Sequence, residues 1–89
     1  MKLFRERDVR RRVTALLGQV RPEIAAMTLR GDLRLQDDLG MDSLSIVALA
    51  VRLHEDLGVD LAAIAEHGPS IQTIDDLVAV MESLTHGKN

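Results

Sequence analysis

An all-α fold is what this sequence predicts, and three observations carry that expectation. Apolar residues recur at steps of three and four in separate stretches of the chain, as they do along one face of a helix. Phe4 is the single aromatic residue, so a core must be assembled from Leu, Ile, Val, Met and Ala, which pack readily between helices. With 89 residues, 46% hydrophobic and 28% charged, the chain has enough apolar material for one small core and not for two. A single domain is therefore expected over 1–89, with its core at about 4–84.

The first helix is expected from Phe4 to Val20. Val9, Val13, Leu16, Leu17 and Val20 follow a helical stripe, while Arg5, Arg7, Arg10, Arg11 and Arg12 fall mostly outside it. Arg21-Pro22 ends the helix, because the proline ring disfavours helical geometry in the residue before it and lacks a backbone donor. Residues 21–42 hold Pro22, Gly31 and Gly40, with Ile24, Met27, Leu29, Leu33, Leu35 and Leu39 between them at no sustained period. This reads as a long loop pinned to the core by leucines, and a loop of that length is expected to be functional or to hide a short helical turn.

A second helix is predicted over Ser43 to Leu57, with Ile46, Leu49, Ala50, Leu53 and Leu57 on its buried face and Gly58 at the left-handed position that closes it. A short third helix, Leu61 to Glu66, is bounded by His67-Gly68-Pro69. The fourth starts near Thr73, which can cap it together with Asp76, and buries Ile74, Leu77, Val78, Met81 and Leu84. The tail from Thr85 to Asn89 is expected to fray. The predicted core comprises Val13, Leu16, Leu17, Ile46, Leu49, Leu53, Leu57, Ile64, Ile74, Leu77, Val78 and Met81.

Composition excludes several classes. Without cysteine there is no disulfide framework, iron–sulfur cluster or thiolate zinc site, which fits a cytoplasmic setting. The N-terminus runs into charge with no apolar signal region, and no later stretch is long enough to span a bilayer. The net charge of −3 is unevenly spread: residues 1–30 hold eight basic and three acidic side chains, residues 31–89 three basic and eleven acidic. Five arginines between Arg5 and Arg12 invite a nucleic-acid reading. Glu6 and Asp8 within the run, the acidic remainder and the lack of stacking aromatics count against it, leaving a solvated helix face or a docking surface for an acidic protein.

Enzyme and metal motifs fail on inspection. His54-Glu55 begins like a zinc-protease helix, but Gly58 stands where the second histidine belongs, so His54 reads as a polar surface residue. The acidic stretch Asp56 to Glu66 fails as a calcium loop, since Leu61 occupies the glycine position and His67 the position of the closing glutamate. No phosphate-binding glycine loop or histidine cluster is present, so no catalytic residue is expected. The segment Leu39-Gly40-Met41-Asp42-Ser43-Leu44 differs in kind, because a serine where loop meets amphipathic helix has an exposed hydroxyl beside unpaired backbone N–H groups. On helix-start chemistry alone it is an ordinary cap, made by Asp42 or by Ser43.

The run Asp37-Asp38-Leu39-Gly40-Met41-Asp42-Ser43-Leu44, followed by Val47, Leu49 and Leu53, resembles the phosphopantetheine attachment region of acyl carrier proteins. The resemblance extends over nearly the whole chain: first helix, leucine-anchored loop, Asp-Ser-Leu helix, short third helix and closing fourth. It implies a four-helix bundle of acyl-carrier type with a long loop between helices 1 and 2. It also implies a 4′-phosphopantetheine arm on Ser43, placed by a separate phosphopantetheinyl transferase, with Asp42 positioning the serine, and cargo held as a thioester. Apolar cargo can shelter between helices in this family, and Ala48, Ala50, Ala62, Ala63 and Ala65 leave space around helices two and three.

Partners implied are the transferase and acyl-loading or processing enzymes such as an acyltransferase, ketosynthase or ligase, met by a monomer that binds neither nucleic acid nor membrane. Such partners commonly present basic patches to acidic residues of the second helix. Positions often acidic in fatty-acid carriers are Ser45, Ala48 and His54 here, and the expected partner-binding face is Leu44, Val47, Ala48, Val51 and Glu55. That departure favours a discrete carrier of a polyketide or other secondary-metabolite pathway. A peptidyl or aminoacyl carrier, and an unmodified helical interaction domain, remain the alternatives.

Overall fold

The computed structural model describes residues 6–86, with helices α1 (Glu6–Val20), α2 (Ser43–Leu57), α3 (Leu61–His67) and α4 (Ile74–His86). Among the described residues there is no strand, and α1 packs against α2 and α4 while α3 bridges α2 and α4. The all-α, acyl-carrier-type bundle expected from the sequence is the fold observed. The predicted start of the first helix at Phe4 lies outside the described residues.

On α1, Val9, Val13, Leu16 and Leu17 are buried at successive turns. The helix stops where Pro22 opens a 3-10 turn over Pro22–Ala26, a position where its fixed φ helps and its missing N–H costs nothing. The turn buries Ile24 and folds back on α1 so closely that a Cβ on Gly18 would stand 3.1 Å from that of Ala25. A short helical turn is therefore concealed in the loop.

The remainder of the loop is pinned by more than leucines. Leu35, Leu39 and Met41 are buried, while Leu29 and Leu33 are half-buried against the core. Backbone hydrogen bonds do the rest: Leu35 N donates to Gln72 O at 2.9 Å and Ile74 N to Leu33 O at 3.1 Å, around an antiparallel bridge between Arg34 and Thr73. Asp75 N donates to Gly31 O at 2.9 Å, and the Asp75 carboxylate covers the bare Cα of Gly31, where any Cβ would collide with it. The same carboxylate accepts from Arg10 at 2.9 Å, tying α1, loop and α4 together.

Helix α2 ends as predicted at Gly58, with φ +73 and its N–H on His54 O at 3.0 Å. His54 is exposed, and its Nδ1 lies 2.7 Å from the Val59 carbonyl, to which the protonated ring nitrogen donates. Helix α3 continues one residue past its expected end and passes into a 3-10 turn, Gly68–Ser70. At α4 the anticipated reciprocal cap is present: Asp76 N donates to Thr73 Oγ1 and Thr73 N to Asp76 Oδ2, both at 3.1 Å. Thr85 and His86 continue α4, and the Thr85 hydroxyl donates to Glu82 O at 3.0 Å; residues 87–89 lie outside the described residues.

Of the twelve predicted core residues eleven are buried, and Ile46 is the exception. Ile46 is half-buried because it lines an open cleft beside the core. Six further residues, Val9, Ile24, Leu35, Leu39, Met41 and Val59, complete the core, and no polar or charged side chain among the described residues is buried. Leu53→Ala is expected to lower stability by about 2–5 kcal/mol in urea unfolding, since it empties a packed site. Ile46→Ala should cost distinctly less, and equal losses would show that Ile46 belongs to the closed core.

Candidate functional site

The site is built at the junction of loop and α2. Gly40, with φ +68 and its N–H on Gln36 O at 3.1 Å, turns the chain out of a helical turn. Met41 is buried, and its N–H bonds to Leu35 O at 3.0 Å, so the residue just before the site is anchored in the core. Arg21, at the far end of the loop, donates from Nη1 to the Gly40 carbonyl at 2.8 Å. The chain therefore reaches Asp42 in a fixed direction.

Asp42 is the N-cap. Its carboxylate accepts from Ser45 N at 2.9 Å and its carbonyl from Ile46 N at 3.0 Å. The choice left open between Asp42 and Ser43 is thus made, and the consequence falls on Ser43. As the first residue of α2, Ser43 is exposed, and its hydroxyl makes no hydrogen bond to any of the described residues. It stands at the positive end of a 15-residue helix, where backbone N–H groups favour an attached anion. An exposed, unencumbered hydroxyl at a helix N-terminus is a fitting attachment point for a phosphodiester-linked arm.

The predicted partner-binding residues fall on one open stripe leading away from Ser43. Leu44 is 79% exposed and Val47 59%, large values for aliphatic side chains, and Ala48, Val51 and Glu55 are exposed as well. Ser45 is half-buried, and the first acidic side chain of α2 is Glu55. Arg52 donates to Gln19 Oε1 at 3.1 Å and makes no ion pair with the described residues. The arginines of α1 are partly spent within the fold, Arg10 on Asp75 and Arg12 on Asp56, each at 2.9 Å.

Beside the site, a cleft of about 470 Å³ opens between α2 and α3, its lining including Leu35, Ile46, Leu49, Ala50, Ile64 and Ile71. Of the five alanines expected to leave room there, Ala50 and Ala65 line it; Ala48, Ala62 and Ala63 do not, because they occupy other faces of their helices. Leu35, Gln36 and Ile71 come from loops, where no periodicity marks them. Arg21 likewise carried no signal, since its role depends on a carbonyl 19 residues away.

Comparison with known proteins now settles the family. The phosphopantetheine attachment site family matches residues 8–80, most of the chain and all of the geometry above. This chain belongs to that family. No curated protein matches it. Domains of this family are carriers rather than catalysts, and they bear a 4′-phosphopantetheine group covalently on a serine. Transferases that attach the group and enzymes that process its acyl load are their partners in general. Among the described residues no group of three or more His, Asp or Glu is placed to hold a metal, and no helix is long and apolar enough to cross a membrane.

Two carboxyl groups show the electrostatics of the caps. The Ser45 backbone N–H, with the Ser45 side chain second, holds the Asp42 carboxyl below its ordinary range against an opposing desolvation. The N–H groups of Gln72 and then Thr73 do the same for Asp76. A carboxyl depressed in the folded state adds stability above its unfolded pKa of about 3.9, and that stability disappears as pH falls through the folded value. Asp42→Ala should therefore be less stable than the parent at pH 7, with the gap between their urea midpoints narrowing below about pH 4. A gap of constant size down to the acid limit would show that the charge of Asp42 plays no part.

Proposed function

We propose that this carrier is an acyl carrier whose arm is attached to Ser43. The observation that carries the assignment is the free hydroxyl of Ser43 at the start of α2, released by the Asp42 cap and lying within the matched region. Attachment joins Ser43 Oγ to phosphorus, breaks the pyrophosphate bridge of coenzyme A, and passes the hydroxyl proton to a base on the transferase. No base of this chain is needed. Asp42 keeps the first turn of α2 in place, so the backbone that carries the hydroxyl is fixed. When bound, the arm supplies a thiol that holds cargo as a thioester.

The cleft between α2 and α3 supports acyl over aminoacyl cargo. Its aliphatic lining offers hydrocarbon a refuge from water and gives a charged amino group no counter-ion there. On α2, the exposed Leu44, Val47, Ala48 and Val51 suit partners with an apolar contact surface, and Glu55 offers a charge at the far end of the stripe. A surface of that kind departs from the acidic second helix of fatty-acid carriers, which supports assignment to a polyketide or related secondary-metabolite assembly. The absence of cysteine agrees with a cytoplasmic carrier.

Incubation with coenzyme A and a broad-specificity phosphopantetheinyl transferase is expected to add the mass of one phosphopantetheine to the protein, and none to Ser43→Ala. A folded protein that gains nothing while a control carrier is modified would overturn the assignment. Asp42→Asn should be modified more slowly than the parent under the same conditions. Equal rates would remove Asp42 from the positioning role.

A further inference from the structure

Helix α1 turns one face away from the core, and the carrier role makes no use of it. Val9, Val13, Leu16 and Leu17 bury one side of the helix, while Arg7, Arg11, Ala15 and Gly18 recur at helical spacing on the opposite side. Arg10 and Arg12 stand on the flanks between and are turned to Asp75 and Asp56. The outer stripe therefore opens with positive charge and ends in small residues.

Where its side chains shrink, a groove opens. It measures about 540 Å³ and runs between α1 and the 3-10 turn over Pro22–Ala26, its lining including Arg11, Ala15, Gly18, Ala25, Met27 and Leu29. The floor is low because Gly18 carries no side chain, and Met27 stands 42% exposed beside it. No carboxylate lines the groove, and Glu23, on the same turn, accepts from Arg21 Nε at 2.8 Å. The Arg11 side chain is 76% exposed, with Asp8 at 3.9 Å, an exposed pair that holds it only weakly. An apolar floor thus adjoins a cationic end.

These two properties choose the occupant. Among the described residues there is no strand to extend with a peptide, and the lining has no aromatic residue to hold a proline-rich one, so the groove fits the remaining common mode, an amphipathic helix. From Arg11 to Gln19 the lining spans about 12 Å of the α1 axis, room for two turns of a helix laid alongside. An anionic lipid surface calls for a cluster of about four or more basic residues, where this stripe offers Arg7 and Arg11. We infer that the groove docks an acidic amphipathic helix of a partner protein, with an apolar side chain seated over Gly18 between Ala15 and Met27 and carboxylates set against Arg7 and Arg11. The site lies across α1 from the face that packs on α2 and α4, and it does not depend on the arm.

The test uses the full chain, isotopically labelled and before any arm is attached, so its outcome is separate from that of the Ser43 assignment. The probe is an acetylated, amidated peptide of about four helical turns with Leu along one face and Glu on both flanks, and its counterpart with Lys for Glu is the control. The Glu peptide is expected to shift the amide resonances of Ala15, Gly18, Ala25 and Met27 saturably, and the Lys peptide to leave them in place. Arg11→Glu should weaken binding roughly fivefold, the order set by exposed ion pairs, and added salt should weaken binding to the parent. Met27→Gln should also weaken it at unchanged charge, which separates a seated side chain from general attraction. Absence of shifts, equal shifts with the Lys peptide, shifts confined to Leu44, Val47 and Val51, or parent affinity in Arg11→Glu would overturn the inference. Shifts at the groove on concentrating the protein alone would overturn it in favour of a second copy of this chain.

Discussion

The N–H of Ser45 is one of the donors that the start of any helix leaves without an intrahelical acceptor, and here the Asp42 carboxylate takes it at 2.9 Å. Had Ser43 made that bond, its hydroxyl would be committed to the backbone and turned inward. Because the residue before it caps the helix, Ser43 can sit inside the first turn with its oxygen outward and unbonded. Two adjacent polar residues thus divide the work of ending a loop and leaving a hydroxyl exposed. Capping strength and exposure of the hydroxyl are set by different side chains.

That arrangement holds only if the chain arrives at Asp42 along a fixed path. The path is set by contacts far apart in sequence: Met41 sunk in the core and bonded to Leu35, Gly40 held by Arg21, and Leu33 and Leu35 bonded to the segment that opens α4. Backbone groups of a loop without regular structure would otherwise compete for water. Pairing them with the residues ahead of α4 makes the loop part of the bundle, so the position of Ser43 relative to α2 and α3 is a property of the whole fold.

The helices were legible because helical burial has a period. The bounds of α2 follow from Asp42, Ser43 and Gly58, and the cap of α4 from the spacing of Thr73 and Asp76. The family was legible in the string Asp37 to Leu44, which lies inside the matched residues 8–80. The loop core was not, since Ile24, Leu35, Leu39 and Met41 bury themselves at irregular intervals that no single period describes. Ile46 was misread because a helical wheel tells inward from outward but cannot tell a closed core from an open cleft. The contributions of Arg21, Gln36 and Gln72 depend on partners brought together only by folding.

Val47 and Val51 line the aliphatic cleft and also stand on the outward stripe of α2. A protein that covers this stripe covers the lip of the cleft with it. Were a chain to lie in the cleft and a protein to dock on the stripe, the two events would be linked: whatever the chain did to the affinity of the outer face, docking there would do in equal measure to the hold on the chain. Storage and delivery would then be two readings of a single equilibrium, pivoting on a pair of valines.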